Sequence, residues 1–279
     1  MPVESFKKAL KELGAHPLLW LPGIVAGILA AGLWLMLNFS GAFFTSRLLI
    51  FASLILVAFI VGMLVLMKEK GGDIRVFAEG AVRYYFRVLL PQLVIFFMIL
   101  VIFIILVVTF GFMGTASDPG FVALLTICVM IPTLILTFFF DTAAVFEDKK
   151  VFESIQRSTV LVSENVMDVI GFFVISIASS FIIIFGLMIA WEAALFERLA
   201  PLAEYNQTQI QGFTYGELTT LIGPDGIWVT AIVLFIGGVI LIPLFYSYKV
   251  CFYQKLSGLT PSIQQMGGEY DSKGRWYKY

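Results

Sequence analysis

Charge is what this chain has least of. Only 13% of its 279 residues are Asp, Glu, Lys or Arg, about half of the ~25% carried by a soluble globular domain. One histidine, His16, excludes a multi-histidine metal site, and two cysteines, Cys128 and Cys251, are too few for a four-cysteine zinc site. Those thiols fall in separate apolar runs at different depths, so reduced packing residues are expected rather than a disulfide. The sequence has neither a Gly-x-Ser-x-Gly elbow nor a phosphate-cradling Gly-Lys loop, and the sole imidazole leaves serine-based catalysis without a base to spare. These absences point away from an enzyme and call for no cofactor and no metal. A net charge of −1 lacks the excess of Lys and Arg that nucleic acid requires. Segment 1–13 is charged and helical, unlike a cleaved signal peptide.

What is present is hydrocarbon. Apolar and aromatic residues make up 60% of the chain, with 28 Phe, and the mean hydropathy is +0.97. A soluble fold would have to expose apolar patches that soluble monomers rarely carry. Six uncharged runs, 17–37, 48–67, 89–113, 121–140, 169–191 and 227–248, are each long enough for a bilayer core of about 30 Å. No carboxylate, His, Lys or Arg lies in the middle of any run, which argues against proton-coupled or ion-coupled transport. The expected fold is an all-α integral membrane protein with six transmembrane helices.

The basic residues set an orientation. Sixteen of the eighteen Lys and Arg fall before the first run, in the even-to-odd connections or after the last run, leaving only Arg47 and Arg198 on the other side. Cytoplasmic segments hold such an excess, so both termini are expected in the cytoplasm of a multi-pass cell-membrane protein. The sequons Asn38-Phe39-Ser40 and Asn206-Gln207-Thr208 fall on the outer side, and of the two Asn206 lies far enough from the membrane to test.

The cytoplasmic segments share a pattern. Val3, Phe6, Leu10 and Leu13 are spaced i, i+3, i+7, i+10; Ile74, Phe77, Ala81 and Tyr84 repeat that spacing, as do Phe152, Ile155, Thr159 and Val162. This spacing predicts three amphipathic helices lying in the interface plane. Opposite the second stripe run Arg75, Glu79, Arg83 and Arg87 at intervals of four. The whole then reads as one membrane domain, 1–263, with a threefold parallel repeat of interfacial helix and hairpin, 1–70, 71–147 and 148–251. An outer cap, 192–226, and a cytoplasmic tail, 264–279, complete it.

One stretch carries a resemblance. Ala143-Ala144-Val145-Phe146-Glu147-Asp148-Lys149-Lys150 leads into Val151-Phe152-Glu153-Ser154-Ile155-Gln156-Arg157-Ser158, then Leu161-Val162 and Asn165. It resembles uncharacterised prokaryotic polytopic membrane proteins that include the membrane domain attached to some glycerophosphoryl diester phosphodiesterases. In that pattern a Glu ends a span, an interfacial helix carries an Arg-Ser pair, and an Asn precedes the next span; Glu147, Arg157, Ser158 and Asn165 match. Ala15-His16-Pro17 is similar to the Asn-Pro that often starts such chains, with His in place of Asn. No phosphodiesterase domain is present, so the resemblance implies a fold more than an activity.

Candidate contacts for lipid or a partner are therefore Arg75, Arg83, Arg87, Asp141, Glu147, Arg157, Ser158 and Asn165. Glu153 and Arg157 are expected to pair at i,i+4 on a solvated face. Asp141 and Asp168 are expected to reach the interface as end charges. Pro132, Gly237, Gly238 and Pro243 are candidate kinks, and Gly23 with Gly27 forms a face of small residues that is either internal or dimeric. The leading expectation is a non-enzymatic protein binding membrane lipids or a membrane-protein partner, a second copy included. The alternative is a transporter or export permease for a neutral or amphipathic solute.

Overall fold

The computed structural model describes residues 1–112, 119–206 and 212–258, together with the backbone of two tail strands at 268–270 and 276–278. The second outer turn, 115–120, most of the tail and two of the three Asn206 sequon positions lie largely outside the described residues. Helix α1 (Pro2–Ala15) leads through a 3-10 turn (Pro17–Trp20) into α2 (Leu21–Ser40). Then follow α3 (Ala42–Lys68), α4 (Ile74–Phe112), α5 (Pro119–Leu136), α6 (Phe140–Phe146), α7 (Val151–Glu164) and α8 (Val166–Ala194). A short α9 (Phe196–Leu199) and a 3-10 turn (Ala200–Glu204) precede the last helical stretch, α10 (Tyr215–Leu256), which is kinked at Gly223, φ 66°. In the tail, strand β1 (Gly268–Tyr270) pairs antiparallel with β2 (Trp276–Lys278).

Among the described residues, six helical stretches are long and apolar enough to cross a membrane, and each overlaps one of the six expected runs: Pro17–Ser40, Ala42–Lys68, Ile74–Phe110, Ala123–Phe146, Val166–Ala194 and Tyr215–Leu256. The chain is a multi-pass membrane protein. Its packed core gathers at the end of the bundle where the described chain starts and finishes. There Val61, Met63 and Leu64 of α3, Phe139 and Val145 around α6, Phe172 of α8, and Tyr248, Phe252 and Tyr253 of α10 are all buried. Helix α1 closes this end, with Phe6 edge-on to Tyr248 at 5.2 Å and Lys8 Nζ donating to Gln254 Oε1 at 3.3 Å. Farther along α4 and α8 the large side chains face outward, among them Phe97, Ile177, Phe181 and Ile182, as hydrocarbon allows and water would not.

Three features depart from the sequence pattern. The 74–87 stretch is no separate helix: it continues into the third span as one helix of 39 residues, about 58 Å long at 1.5 Å per residue. The first outer turn, expected over 38–46, is the single residue Gly41, whose φ of 83° reverses the chain between α2 and α3. The apolar stripes of α1 and α7 also do not face the bundle whole. Val3, Leu10 and Phe152 are exposed, while Ser5, Ala9 and Leu13, and Ser154, Ser158, Leu161 and Val162, are buried. Small side chains, Ser5 and Ala9 of α1 and Ser154 and Ser158 of α7, share the packed faces with Leu13, Leu161 and Val162.

The small-residue face of α2 is internal. A Cβ built on Gly27 would lie 2.5 Å from the Phe235 carbonyl oxygen of α10, and one on Gly238 would lie 2.6 Å from the Gly27 backbone. Gly23 approaches Pro243 as closely. The two backbones therefore touch, which gives van der Waals contact where lipid offers no hydrophobic drive. Gly186 of α8 has nothing within 4 Å of such a Cβ, so Gly186→Ala should leave stability unchanged or raise it by up to about 1 kcal/mol through helix propensity. Gly238→Ala should lose about 1–3 kcal/mol by overpacking. Unfolding of both variants in detergent micelles checks the contrast; equal behaviour would contradict the α2–α10 contact.

Candidate functional site

The fourth span is broken. Pro132 has no amide hydrogen to donate, and the hydroxyls of Thr133 and Thr137 bond back to the carbonyls of Val129 and Thr133 at 2.8 and 2.7 Å, which bends a helix. Helix α5 nevertheless runs past Pro132 and ends at Leu136, and α6 starts at Phe140. Backbone freed inside a membrane must find partners, and Ser158 of α7 supplies them: its Oγ accepts the Phe139 N–H at 2.9 Å and donates to the Leu136 carbonyl at 2.9 Å. Thr142 Oγ1 donates to the Phe139 carbonyl at 2.8 Å. Ser158 is fully buried, so it clasps the break rather than meeting lipid or a partner as its sequence position suggested.

The break places Asp141 in the first turn of α6, facing Lys249 of α10. Asp141 Oδ2 accepts from Lys249 Nζ at 2.8 Å, and Oδ1 accepts from the Thr142 N–H at 2.7 Å. Both charged side chains are 5% exposed. Lys249 Nζ also sits 4.3 Å from the centre of the Phe138 ring and 5.4 Å from that of Tyr246, a cation–π setting strengthened by the absence of water. Asp141 is thus no end charge reaching the interface. Lys249, which the basic-residue pattern assigns to the tail side, is its buried partner. The one available sequence signal was an acid and a base, each closing an apolar run.

A cavity of about 320 Å³ opens beside this pair, between α3, α4, the α5–α6 break and α10. Its inner wall is buried hydrocarbon, Val57, Ile60, Val88 and Ile95, and its outer flank includes the exposed Phe96 and Leu134. Gln92, Thr137, Tyr246 and the ion pair supply its polar groups. The cavity therefore has a polar end and an apolar wall that opens sideways onto the lipid-facing surface. A larger cavity, about 370 Å³, lies under α1 near Lys8, Glu12, His16 and Lys70; its charges are of mixed sign, and Lys8 and Lys70 are exposed.

The remaining sequence candidates separate into structural and surface groups. Glu147 and Asp148 form a corner that ties four helices. Arg157 Nε donates to both Glu147 oxygens at 2.9 and 3.0 Å, and the Tyr253 hydroxyl donates to Glu147 at 2.7 Å. The expected Glu153–Arg157 pair does not form, because Glu153 accepts the Lys150 N–H at 3.2 Å and caps α7 instead. Asp148 meets Lys68 at 2.9 Å, Arg87 at 3.3 Å and the Tyr84 hydroxyl. Against burial, which pushes it up, Tyr84, Lys68 and Arg87 hold the Asp148 carboxyl below its ordinary value of 3.8. Arg75 and Arg83 are exposed, Arg83 lying 5.5 Å over the Tyr84 ring. Asn165 closes α7 with a bond from its side-chain amide to the Leu161 carbonyl at 3.0 Å. Pro243 and Gly238 pack against α2, and a Cβ on Gly237 would meet Leu187, so these candidate kinks serve helix contact.

Residues 2–256 match a family model described as a domain of unknown function, DUF7847. No curated protein and no solved structure matches the chain.

Two outcomes test this geometry. Asp141→Leu or Lys249→Met alone should each cost about 3–5 kcal/mol by stranding a buried charge, while the double substitution recovers most of the loss. Denaturant titration in micelles measures the cycle, and a double variant no better than the worse single one would contradict the pairing. The second outcome concerns pH. A depressed folded-state value means that the Asp148 contribution is complete above the ordinary carboxylate value and is lost as pH falls through the depressed one. Thermal stability should therefore drop more in the wild type than in Asp148→Asn between about pH 5 and about pH 3. Asn tolerates the left-handed backbone at this position, φ 54°.

Proposed function

The chain belongs to this family of unknown function, and we propose that it is a non-enzymatic integral membrane protein that binds a lipid in the cavity beside the broken fourth span. One observation carries the reading: a cavity of about 320 Å³ with a buried ion pair at one end and an exposed apolar flank, Phe96 and Leu134, at the other. That is the shape of a site for an amphiphile entering sideways from the bilayer, with few polar groups fixing one end. Binding is favoured over catalysis because Asp141 is paired with Lys249 and Glu147 with Arg157.

In this reading the protein sits in the cell membrane with both termini in the cytoplasm, as the distribution of Lys and Arg favours. Helices α1 and α7 and the first turns of α4 lie in the cytoplasmic interface. Exposed Val3, Leu10 and Phe152 meet acyl chains there, while Arg75 and Arg83 meet anionic headgroups. In this reading each repeat opens with an interfacial helix, separate from the hairpin in the first and third units and continuous with the span in the second.

Purification from native membranes followed by mass spectrometry of the intact protein tests the reading. The wild type should retain lipid in stoichiometric amount, Ile99→Trp at the cavity wall should lose it, and replacement of both Arg75 and Arg83 by Ala should leave it bound. Retention unchanged by Ile99→Trp would overturn the cavity as the site. A stoichiometric protein in place of lipid would instead make the chain a subunit. An export permease, suggested by Pro132, Pro243 and Gly237-Gly238, is less favoured because Pro243 and Gly238 pack against α2 and Gly237 lies near Leu187, so solute flux in liposomes is expected to be absent.

A further inference from the structure

The ion pair at the end of the cavity is incompletely used. An ammonium carries three donors, and Lys249 has one hydrogen bond among the described residues, to Asp141. Its remaining surroundings include the faces of Phe138 and Tyr246, which attract the charge but accept no strong hydrogen bond. Asp141 accepts one bond on each oxygen, from Lys249 and from the Thr142 N–H, and so keeps lone pairs in reserve. Both residues line the cavity and are 5% exposed. Unused donors and acceptors held out of water are costly unless something completes them.

The sign of the charge decides what completes them. Whichever partner holds the proton shared by Asp141 and Lys249, the pair has no net charge. A ligand head with a net charge would add an unbalanced charge to a low-dielectric site, and a zwitterionic head would bring two further charges to desolvate, both strongly unfavourable. An uncharged head with a hydroxyl or carbonyl group can accept from Lys249 and donate to Asp141 at no such cost.

We propose that the cavity selects an uncharged amphiphile with a hydroxyl or carbonyl head, of the class of acylglycerols and long-chain alcohols. The head hydrogen-bonds Lys249 and Asp141, and the chain lies along Ile99, Phe96 and Leu134 toward the bilayer. The inference rests on the reading of this cavity as a lipid site and adds the rule by which it chooses.

The test is competitive binding to the full chain in micelles near neutral pH, read by mass spectrometry of the intact complex. Four chain-matched probes are used: monooleoylglycerol, oleyl alcohol, oleyl phosphate and oleylammonium. The two uncharged probes should bind at least ~10-fold more tightly than either charged one. Asp141→Asn, which leaves the lysine charge unbalanced, should shift preference toward oleyl phosphate, and Lys249→Met should shift it toward oleylammonium. If those variants fail to fold, the wild-type ranking decides alone. A charged probe binding as tightly as the uncharged ones overturns the selection rule and leaves the lipid site standing. Binding of none of the four overturns the lipid-site reading itself.

Discussion

Two backbone groups inside the fourth span, the Phe139 N–H and the Leu136 carbonyl, have no helical partner, and the arrangement around them follows from that. In a bilayer such groups must be satisfied by protein. One hydroxyl, Ser158 Oγ, serves both at 2.9 Å. To reach them α7 must press against the break, which explains why its packed face includes the small residues Ser154 and Ser158. The clasped break in turn starts α6 afresh and points Asp141 at Lys249.

Downstream of the clasp the charges work as joints. Glu147 links α7 and α10 through Arg157 and Tyr253, and Asp148 links α3 and α4 through Lys68, Tyr84 and Arg87. Each joint lies at the end of the bundle that α1 closes, where the buried core is densest. Toward the other end the helices expose large apolar side chains and are held by backbone contacts such as Gly27 against Gly238. A bundle tightened at one end and loose along its lipid-facing length leaves room for a cavity beside the break.

The six spans were legible because their signal is local: twenty or so apolar residues without charge identify a crossing wherever they stand. Gly23 and Gly27 were legible as a close-packing face for the same reason, though not their partner, since Phe235 and Gly238 lie some two hundred positions away. The site was barely legible. Pairing of Asp141 with Lys249 and of Arg157 with Glu147 depends on which helices meet, and nearest-neighbour spacing favoured Glu153 for Arg157. The break was sought at Pro132, but Thr137 and the clasp by Ser158 put it at residues 137–139. The continuity of α4 was hidden because the change from a charged to an apolar surface resembles a boundary, yet nothing in the backbone stops the helix there.

The central question is whether a lipid occupies the flank opened by the break. Photolabelling with a diazirine-tagged monoacylglycerol, followed by mapping of the adducts, addresses this directly. Adducts should concentrate on Phe96, Ile99 and Leu134, well above those on the more exposed Ile177, Phe181 and Ile182 of α8. Labelling spread evenly over both surfaces would contradict a lipid site at this flank.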